Sequence, residues 1–318
     1  MKSLAIIEAE LLRRGLDPDF IVCKTDIPGD VAEIVSRTEF LALQLRYGYQ
    51  RAIATVRARI ELAALERELR ATTQSAAAMR TALEAARVND LGQVLDSTVR
   101  NTLEQGYLRG AREGERTLRT QAQVRIRFDA MNPHAAQYAR TQSGQLITQI
   151  TEGQREAVRN LIETSVSNGR TVQDIARDIR TVVGLRDDQV RALLNYRERI
   201  TLRGTHTEEQ IERKVARYAD ALARQRGELI ARTEVLTAAN HGQLETWREA
   251  KRQGVLGREY RKQWVTTPDE LLCPECEALD GVTADLHEEF VSADGTRAMA
   301  PTLHPNCRCS MVLTKDAG

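Results

Sequence analysis

A chain of 318 residues is long enough for two or three domains. With 29% charged and only 4% aromatic side chains, and a mean hydropathy of −0.44, it suits extended alanine-rich helices better than a compact aromatic core. Forty-six basic against 45 acidic residues leave a net charge of +1, so attraction of the whole molecule to nucleic acid is not expected. No apolar run approaches the ~20 residues of a membrane span. The opening Met1-Lys2-Ser3-Leu4-Ala5-Ile6-Ile7 is broken by Glu8 and Glu10, which is unlike a signal peptide. The expectation is a soluble protein made in a reducing compartment.

Residues 4–14 read as a short amphipathic helix ended by Gly15. Pro18 and Pro28 punctuate the turn that follows, with Cys23 between them as a small buried hydrophobe, and a new helix is capped near Asp30. From about 30 to 120 the pattern is helical with almost no breakers. Ile53, Val56 and Ile60 share one face, and Leu62, Leu65 and Leu69 the opposite one, as if a helix changes partners midway. The small side chains at 75–78 allow close helix approach. Gly106, Gly110 and Gly114, four apart, read as a packing face between Arg109, Arg112 and Arg116.

Asn132-Pro133 is the clearest boundary of the first half, a cap followed by a first-turn proline; His134 beside it reads as a surface residue. A helix over 135–165 turns Tyr138, Leu146, Ile150, Val158 and Leu161 to one face. Gly169 ends it, and Thr171 caps the next helix with Asp174 three residues on. Gly184 stops that helix and Asp187-Asp188 starts another. Thr207 and Gln210 form a capping box after the connector holding Gly204 and His206. The basic residues Arg213, Lys214, Arg217, Arg224 and Arg226 read first as a solvated face, with contact to nucleic acid or to an acidic protein partner as the alternatives. Only six lysines stand among the basic residues, which codon bias or bidentate contacts to phosphate or carboxylate would explain.

After Gly227 the character changes. A helix carries Arg232, Glu234 and Trp247 to Gly254, the two charges pairing with neighbouring helices as a structural clamp. Residues 258–267 then read as a strand, with Tyr260, Lys262, Trp264 and Thr266 alternating against Arg261, Gln263 and Val265. Leu279-Asp280-Gly281-Val282 is a turn and residues 310–313 a closing strand. The pattern is mainly α, with a small C-terminal α+β domain of antiparallel sheet and zinc-stapled loops. The expected divisions are a helical arm or bundle over 1–130, a helical middle region over 131–226 and the α+β domain over 227–318.

Four of the five cysteines lie in this last part. Cys273-Pro274-Glu275-Cys276 is followed, after residues 277–303, by His304-Pro305-Asn306-Cys307-Arg308-Cys309. A two-residue spacer lets both thiolates face one ion, and the second Cys/His group completes a tetrahedron. Cys273, Cys276, His304, Cys307 and Cys309 offer five ligands for four positions, so one is spare; spacing does not say which. Disulfides suit an oxidising compartment, and a redox pair needs a strand-helix turn rather than this acidic, proline-containing loop. An unmetallated thiol cluster is the other alternative. A catalytic metal fits less well, because a thiolate-saturated site keeps no open position. Ordering about thirty loop residues costs ~1–2 kcal/mol each, against which a structural zinc can supply on the order of 10–16 kcal/mol. Arg308 reads as a rigid anchor for an acidic group, with Asp269, Glu270 or Glu275 as its simplest partner.

Glu228-Leu229-Ile230-Ala231-Arg232-Thr233-Glu234, Lys262-Gln263-Trp264, Thr266-Thr267-Pro268-Asp269-Glu270, the Cys-Pro-Glu-Cys pair, Leu279-Asp280-Gly281 and Pro301 with His304-Pro305-Asn306-Cys307-Arg308-Cys309 form one ordered series. That series resembles the C-terminal domain of the phage Mu protein F-like head morphogenesis family, the minor head proteins of tailed bacteriophages. The likeness covers roughly 227–313 well and extends loosely through 184–197. It implies an assembly component of the virion, not an enzyme, acting at the portal or inside the procapsid. Implied partners are the portal protein and the major capsid or scaffold protein, with contact to the genome and no membrane. The resemblance implies that some relatives carry appended toxin domains; with nine residues after Cys309, none is expected in this sequence. The alternatives are a zinc-supported His-Asn-His nuclease using His287, His304 and Asn306, and a DNA-binding zinc module. No phosphate-binding Gly-rich loop or Gly-x-Ser-x-Gly elbow is present, and His206 and His241 have no partnering motif.

Overall fold

A computed structural model describes residues 29–72, 76–128, 133–267, 272–305 and 307–315. The expected helix over 4–14, Cys23, the side chains of 75–78, Asn132, Asp269, Glu270 and Asn306 lie outside these residues. Helices make up 69% of the structure, and the sheets among the described residues are small and C-terminal, so the chain is mainly α.

The stretch from 30 to 120 contains four helices: α1 (Gly29–Arg59), α2 (Leu62–Thr72), α3 (Ala76–Ala85) and α4 (Asp90–Gln121). The change of apolar face after Ile60 marks the break between α1 and α2 and not one helix changing partners. Ile60 is buried at that break, and Leu65 and Leu69 of α2 are buried in turn. Next come α5 (Pro133–Ser167), α6 (Val172–Thr181), α7 (Asp187–Leu202) and α8 (Glu208–Arg252). Their ends follow the sequence chemistry. Thr171 accepts the Asp174 N–H, and Thr207 and Gln210 exchange side-chain and backbone bonds as a capping box.

α1, α4, α5 and α8 pack as a bundle of long helices with α6 and α7 against it, around a core that includes Leu41, Leu45, Leu103, Val158 and Val235. The closest approach is between α4 and α8. A Cβ on Gly110 would stand 1.7 Å from the Ala239 carbonyl oxygen, and one on Gly242 would stand 1.9 Å from the Tyr107 oxygen. The backbones themselves touch there, which only glycine permits.

A second knot is polar. The Gly184 carbonyl between α6 and α7 accepts the Tyr49 hydroxyl of α1 at 2.6 Å and Arg226 of α8 at 3.0 Å. The Gly184 N–H donates to Gln154 of α5 at 2.5 Å. Arg226 is therefore buried and does not belong to the solvated basic face expected from its neighbours.

The helix expected to begin after Gly227 is the second half of α8, a single helix of 45 residues. Gly227 marks no break; it lies against the Tyr49 ring, 2.8 Å from where its Cβ would be. Arg232 has an acid one turn back on the same helix, and that acid reaches α1. Glu228 lies 3.4 Å from Arg232 and 3.8 Å from Arg46 of α1.

Beyond α8 a three-stranded antiparallel sheet has the order β2-β1-β5, from β1 (Tyr260–Val265), β2 (Thr283–Ala284) and β5 (Ser310–Lys315). Trp264 pairs with Met311 and Lys262 with Leu313. A small hairpin joins β3 (Phe290–Val291) to β4 (Arg297–Ala298), and one turn of helix, α9 (Pro274–Glu277), precedes β2. The alternation in β1 buries Lys262 and Trp264 completely. Lys262 keeps its charge satisfied by donating to the Met299 carbonyl at 2.6 Å and lying 4.6 Å over the Phe290 ring. Burial pulls its pKa down to about 8.

Trp247, Trp264, Leu286, Phe290 and Met311 form a second core. Leu118 of α4 belongs to it, and Ala122, Val124 and Ile126 pack against it. The C-terminal sheet thus rests on the far end of α4 as well as on α8.

Candidate metal centre

Cys273 ends the loop after β1 and caps α9, its sulfur accepting the Cys276 N–H at 3.3 Å, while Pro274 fills the first helical position. This one turn sets both sulfurs on one side. Thr266 fastens the loop by donating from backbone and hydroxyl to Asp280 Oδ1, both at 2.9 Å. Thr267 donates to the Arg308 carbonyl at 3.1 Å, joining the two halves of the site.

His304 enters from the opposite loop. Its Nε2 lies 2.9 Å from Cys273 Sγ and 3.1 Å from Cys276 Sγ. Its Nδ1 is 2.9 Å from the Pro305 carbonyl, which only accepts, so Nδ1 carries a proton and Nε2 is the nitrogen presented to the thiols. The Cys307 N–H closes a turn on the His304 carbonyl at 3.1 Å and brings its sulfur to 3.6 Å from Cys276 Sγ. Cys309 is buried at the start of β5, its carbonyl accepting the Asn240 amide of α8 at 3.3 Å. Ser310 Oγ donates to the same Asn240 side chain at 3.1 Å.

Ligand atoms lying within 4.8 Å of one another form two groups, Cys273 with Cys276 and His304, and Cys276 with Cys307 and Cys309. Cys276 belongs to both. These residues, with Thr267, Leu272 and Arg308, line a cavity of about 20 Å³, room for one ion and no substrate.

The electrostatics are those of a site short of positive charge. Hydrogen bonding from Cys309 pulls the Cys307 thiol down to about 5, while Cys309 itself moves up because it serves as that donor and is buried. Burial, then the Cys307 charge, raises Cys276. For Cys273 burial acts upward but is outweighed by bonds from the Cys276 amide and from His304, so the thiol shifts down. His304 shifts up, its burial outweighed by the Pro305 and Cys273 bonds. Clustered thiolates cannot all ionise side by side without a cation, and a soft divalent ion would supply that charge while displacing the protons.

Other residues singled out in the sequence fall elsewhere. His287 is exposed and bonded through its N–H to Asp285, and does not belong to either ligand group. His134 is at the surface, as expected. His241 lies 5.2 Å from Tyr138, which lies 4.9 Å from Tyr107, in an aromatic stack between helices. Burial takes His241 down to about 4 and brings nearby Glu234 up to about 7. No local motif announced this stack, because its members come from α4, α5 and α8. A concavity of about 740 Å³ opens between α5, α6, α7 and the start of α8 and is lined by mixed charges such as Arg170, Asp174, Asp187 and Arg197.

Fold and site together define a helical bundle protein with a C-terminal module whose loops converge on a Cys/His group that could hold a metal ion. Residues 156–312, just under half of the chain, match the family described as Phage Mu protein F like protein, the head morphogenesis family that the C-terminal motifs resemble. No curated protein and no solved structure shows a match. No helix among the described residues is long and apolar enough to cross a membrane.

Proposed function

We propose that the protein is a minor head protein acting in capsid assembly, and that its C-terminal module is held by one structural zinc ion. The family match carries the first part, since that family is generally structural and not enzymatic. In this reading the chain works at the portal vertex or inside the procapsid, contacting the portal protein and the major capsid or scaffold protein. It is assembled in the host cytoplasm and retained in the virion. Co-purification of the portal protein with the tagged chain from assembling particles supports this; a chain found free of head intermediates overturns it.

The donor set carries the second part. Three sulfurs and one imidazole nitrogen around a one-ion cavity suit tetrahedral zinc, and such a closed site is structural. Cys273, Cys276, His304 and Cys307 are the proposed ligands. Cys307 and Cys309 both group with Cys276 and neither with Cys273 and His304; Cys307 is taken as the fourth ligand because its N–H turns on the His304 carbonyl and its sulfur lies 3.6 Å from Cys276, which leaves Cys309 as the spare thiol. Elemental analysis should find about one zinc per chain, kept by Cys309→Ser and lost by Cys276→Ser. A folded, reduced protein without metal would remove the idea. A nuclease reading has no observation in its favour: incubation with plasmid and Mg²⁺ is expected to leave the DNA intact.

A further inference from the structure

The concavity between α5, α6, α7 and the start of α8, about 740 Å³, has the size of a small-molecule site and lies apart from the metal centre. Its arginines are already engaged. Arg170 lies 2.5 Å and Arg197 2.8 Å from Asp178, Arg197 also reaches Glu212, and Arg191 lies 2.9 Å from Asp187. Two of the lining acids are spoken for as well, Asp187 by Arg191 and Asp174 by Arg177. Glu163 of α5, Glu198 of α7 and Glu208 of α8 remain. All three line the cavity and are exposed. None makes an ion pair or side-chain hydrogen bond among the described residues.

A second observation is independent of charge. Ser165 of α5 lines the cavity, is 1% exposed, and its hydroxyl has no hydrogen-bond partner. Helical hydroxyls commonly return to the carbonyl four residues back, as Thr148 and Ser167 of the same helix do at 2.9 and 2.8 Å. Ser165 does not. A buried hydroxyl left unpaired against a cavity is a group suited to a ligand. Arg197 Nε is unpartnered too, but the charge of that guanidinium is shared by Asp178 and Glu212. Apolar surface lies among these polar groups: Leu161 and Ile211 are buried, Leu194 is half-buried, and Leu202 is 80% exposed.

The arrangement of the carboxylates selects the ligand. An anion would meet three unpaired carboxylates and arginines that are already paired, so the cavity favours positive charge. A metal ion needs three or more acidic oxygens brought together, and among the described residues these carboxylates form no such group. Negative charges set apart across an apolar surface match positive charges set apart along a hydrocarbon chain. We propose that this cavity binds a linear aliphatic polyamine. Its ammonium groups pair with Glu163, Glu198 and Glu208, one N–H donates to Ser165 Oγ, and its methylenes lie on Leu161, Leu194 and Leu202. Neither the zinc ion nor the capsid partners are needed for this site to fill.

The test is isothermal titration calorimetry of the full-length protein with spermidine at low salt, where exposed charges are least screened. One molecule per chain is expected to bind, more tightly than butylamine, which carries a single charge. The variant E163Q/E198Q/E208Q should weaken binding about tenfold, the combined loss of three modest ion pairs. The variant E61Q/E84Q/E152Q removes three exposed acids that line no part of the cavity and have no side-chain partner among the described residues. It should bind as the parent does. S165A should weaken binding several-fold without lowering the melting temperature of the free protein, because no hydrogen bond is lost. Circular dichroism establishes that all three variants are folded. Absence of binding at millimolar spermidine overturns the proposal, as do several sites per chain, an S165A affinity equal to the parent's, or an equal loss in the control variant. So does displacement of spermidine by Mg²⁺ at matched ionic strength, which would mean diffuse attraction to charge. Tighter binding of a lysine-rich peptide than of spermidine also overturns it, and would assign the cavity to a protein.

Discussion

Asn240, buried on α8, donates its side-chain amide to the Cys309 carbonyl at 3.3 Å and accepts the Ser310 hydroxyl at 3.1 Å. One residue thus joins the long helix to the strand that follows the cysteine cluster. Replacing it by alanine leaves a buried carbonyl and hydroxyl unsatisfied, at about 1–3 kcal/mol. Asn240→Ala is expected to lower the unfolding free energy by that amount, read as a fall in the denaturant midpoint. An unchanged midpoint would mean that water takes the place of the amide.

Metal removal should be visible in the tryptophans. Both of the chain's tryptophans, Trp247 and Trp264, lie in the second core beside the cluster. If zinc holds the loops, a chelator should shift tryptophan emission to the red while most helical circular dichroism persists, because the bundle core is separate. Acid should do the same, since protons compete with the metal for thiolates and imidazole. Emission unaffected by exhaustive chelation would show that the module stands without an ion.

Glycine spacing offers a contrast within one residue type. Gly110→Ala forces a Cβ into the Ala239 carbonyl, so α4 and α8 must separate, costing about 3 kcal/mol or more. Gly144 lies exposed in the interior of α5, with nothing within 4 Å of where a Cβ would stand, and Gly144→Ala should stabilise by about 0.4–1 kcal/mol. Thermal melts of the two variants moving in the same direction would contradict the packing described for α4 and α8.

How far the sequence could be read depended on the range of each signal. Caps at Thr171 and Thr207, the stop at Gly184 and the alternation through Lys262 and Trp264 are local, and each appears in the structure where the sequence puts it. The packing role of Gly110 was legible because spacing alone makes a face. Gly227 misled, since a glycine pressed against a distant tyrosine looks the same in sequence as one that ends a helix. Arg226 misled in the same way: its partner is the carbonyl of Gly184, 42 positions away. The residues of the candidate metal centre were legible as a pair of motifs, but not the sharing of Cys276 between two groups or the bond that orients His304. Those depend on how two loops meet.

The second core bears on any truncation. A fragment beginning at residue 227 lacks Leu118, Ala122, Val124 and Ile126, and deletion of 1–125 removes α4, leaving the α8 face around Gly242 uncovered. Such pieces are expected to bind metal yet expose apolar surface, read as binding of a hydrophobic dye and self-association. A fragment of 227–318 that is monomeric and dye-silent would show that the module needs only its own residues. Head incorporation is therefore better probed with surface substitutions than with the deletion.

Two buried groups in the bundle should give stability opposing responses to pH. Glu234 has its pKa raised by burial from 4.5 to about 7. The folded state then holds a proton that the unfolded state releases, so this group costs nothing below pH 4.5 and destabilises increasingly as pH rises to about 7. His241 is shifted the other way, from 6.5 to about 4, by burial and then by Arg248 and Lys262. Its neutral form is the folded one, so it costs nothing above pH 6.5 and destabilises as pH falls toward 4. Each shift corresponds to about 3 kcal/mol, and between about pH 4.5 and 6.5 the two slopes nearly cancel. Glu234→Gln should uncover a stability that rises with pH across this window, and His241→Gln one that falls. Denaturation midpoints at pH 4.5, 5.5 and 6.5 measure both; parallel profiles for the two variants would show that neither group is held in the protonation state its burial dictates.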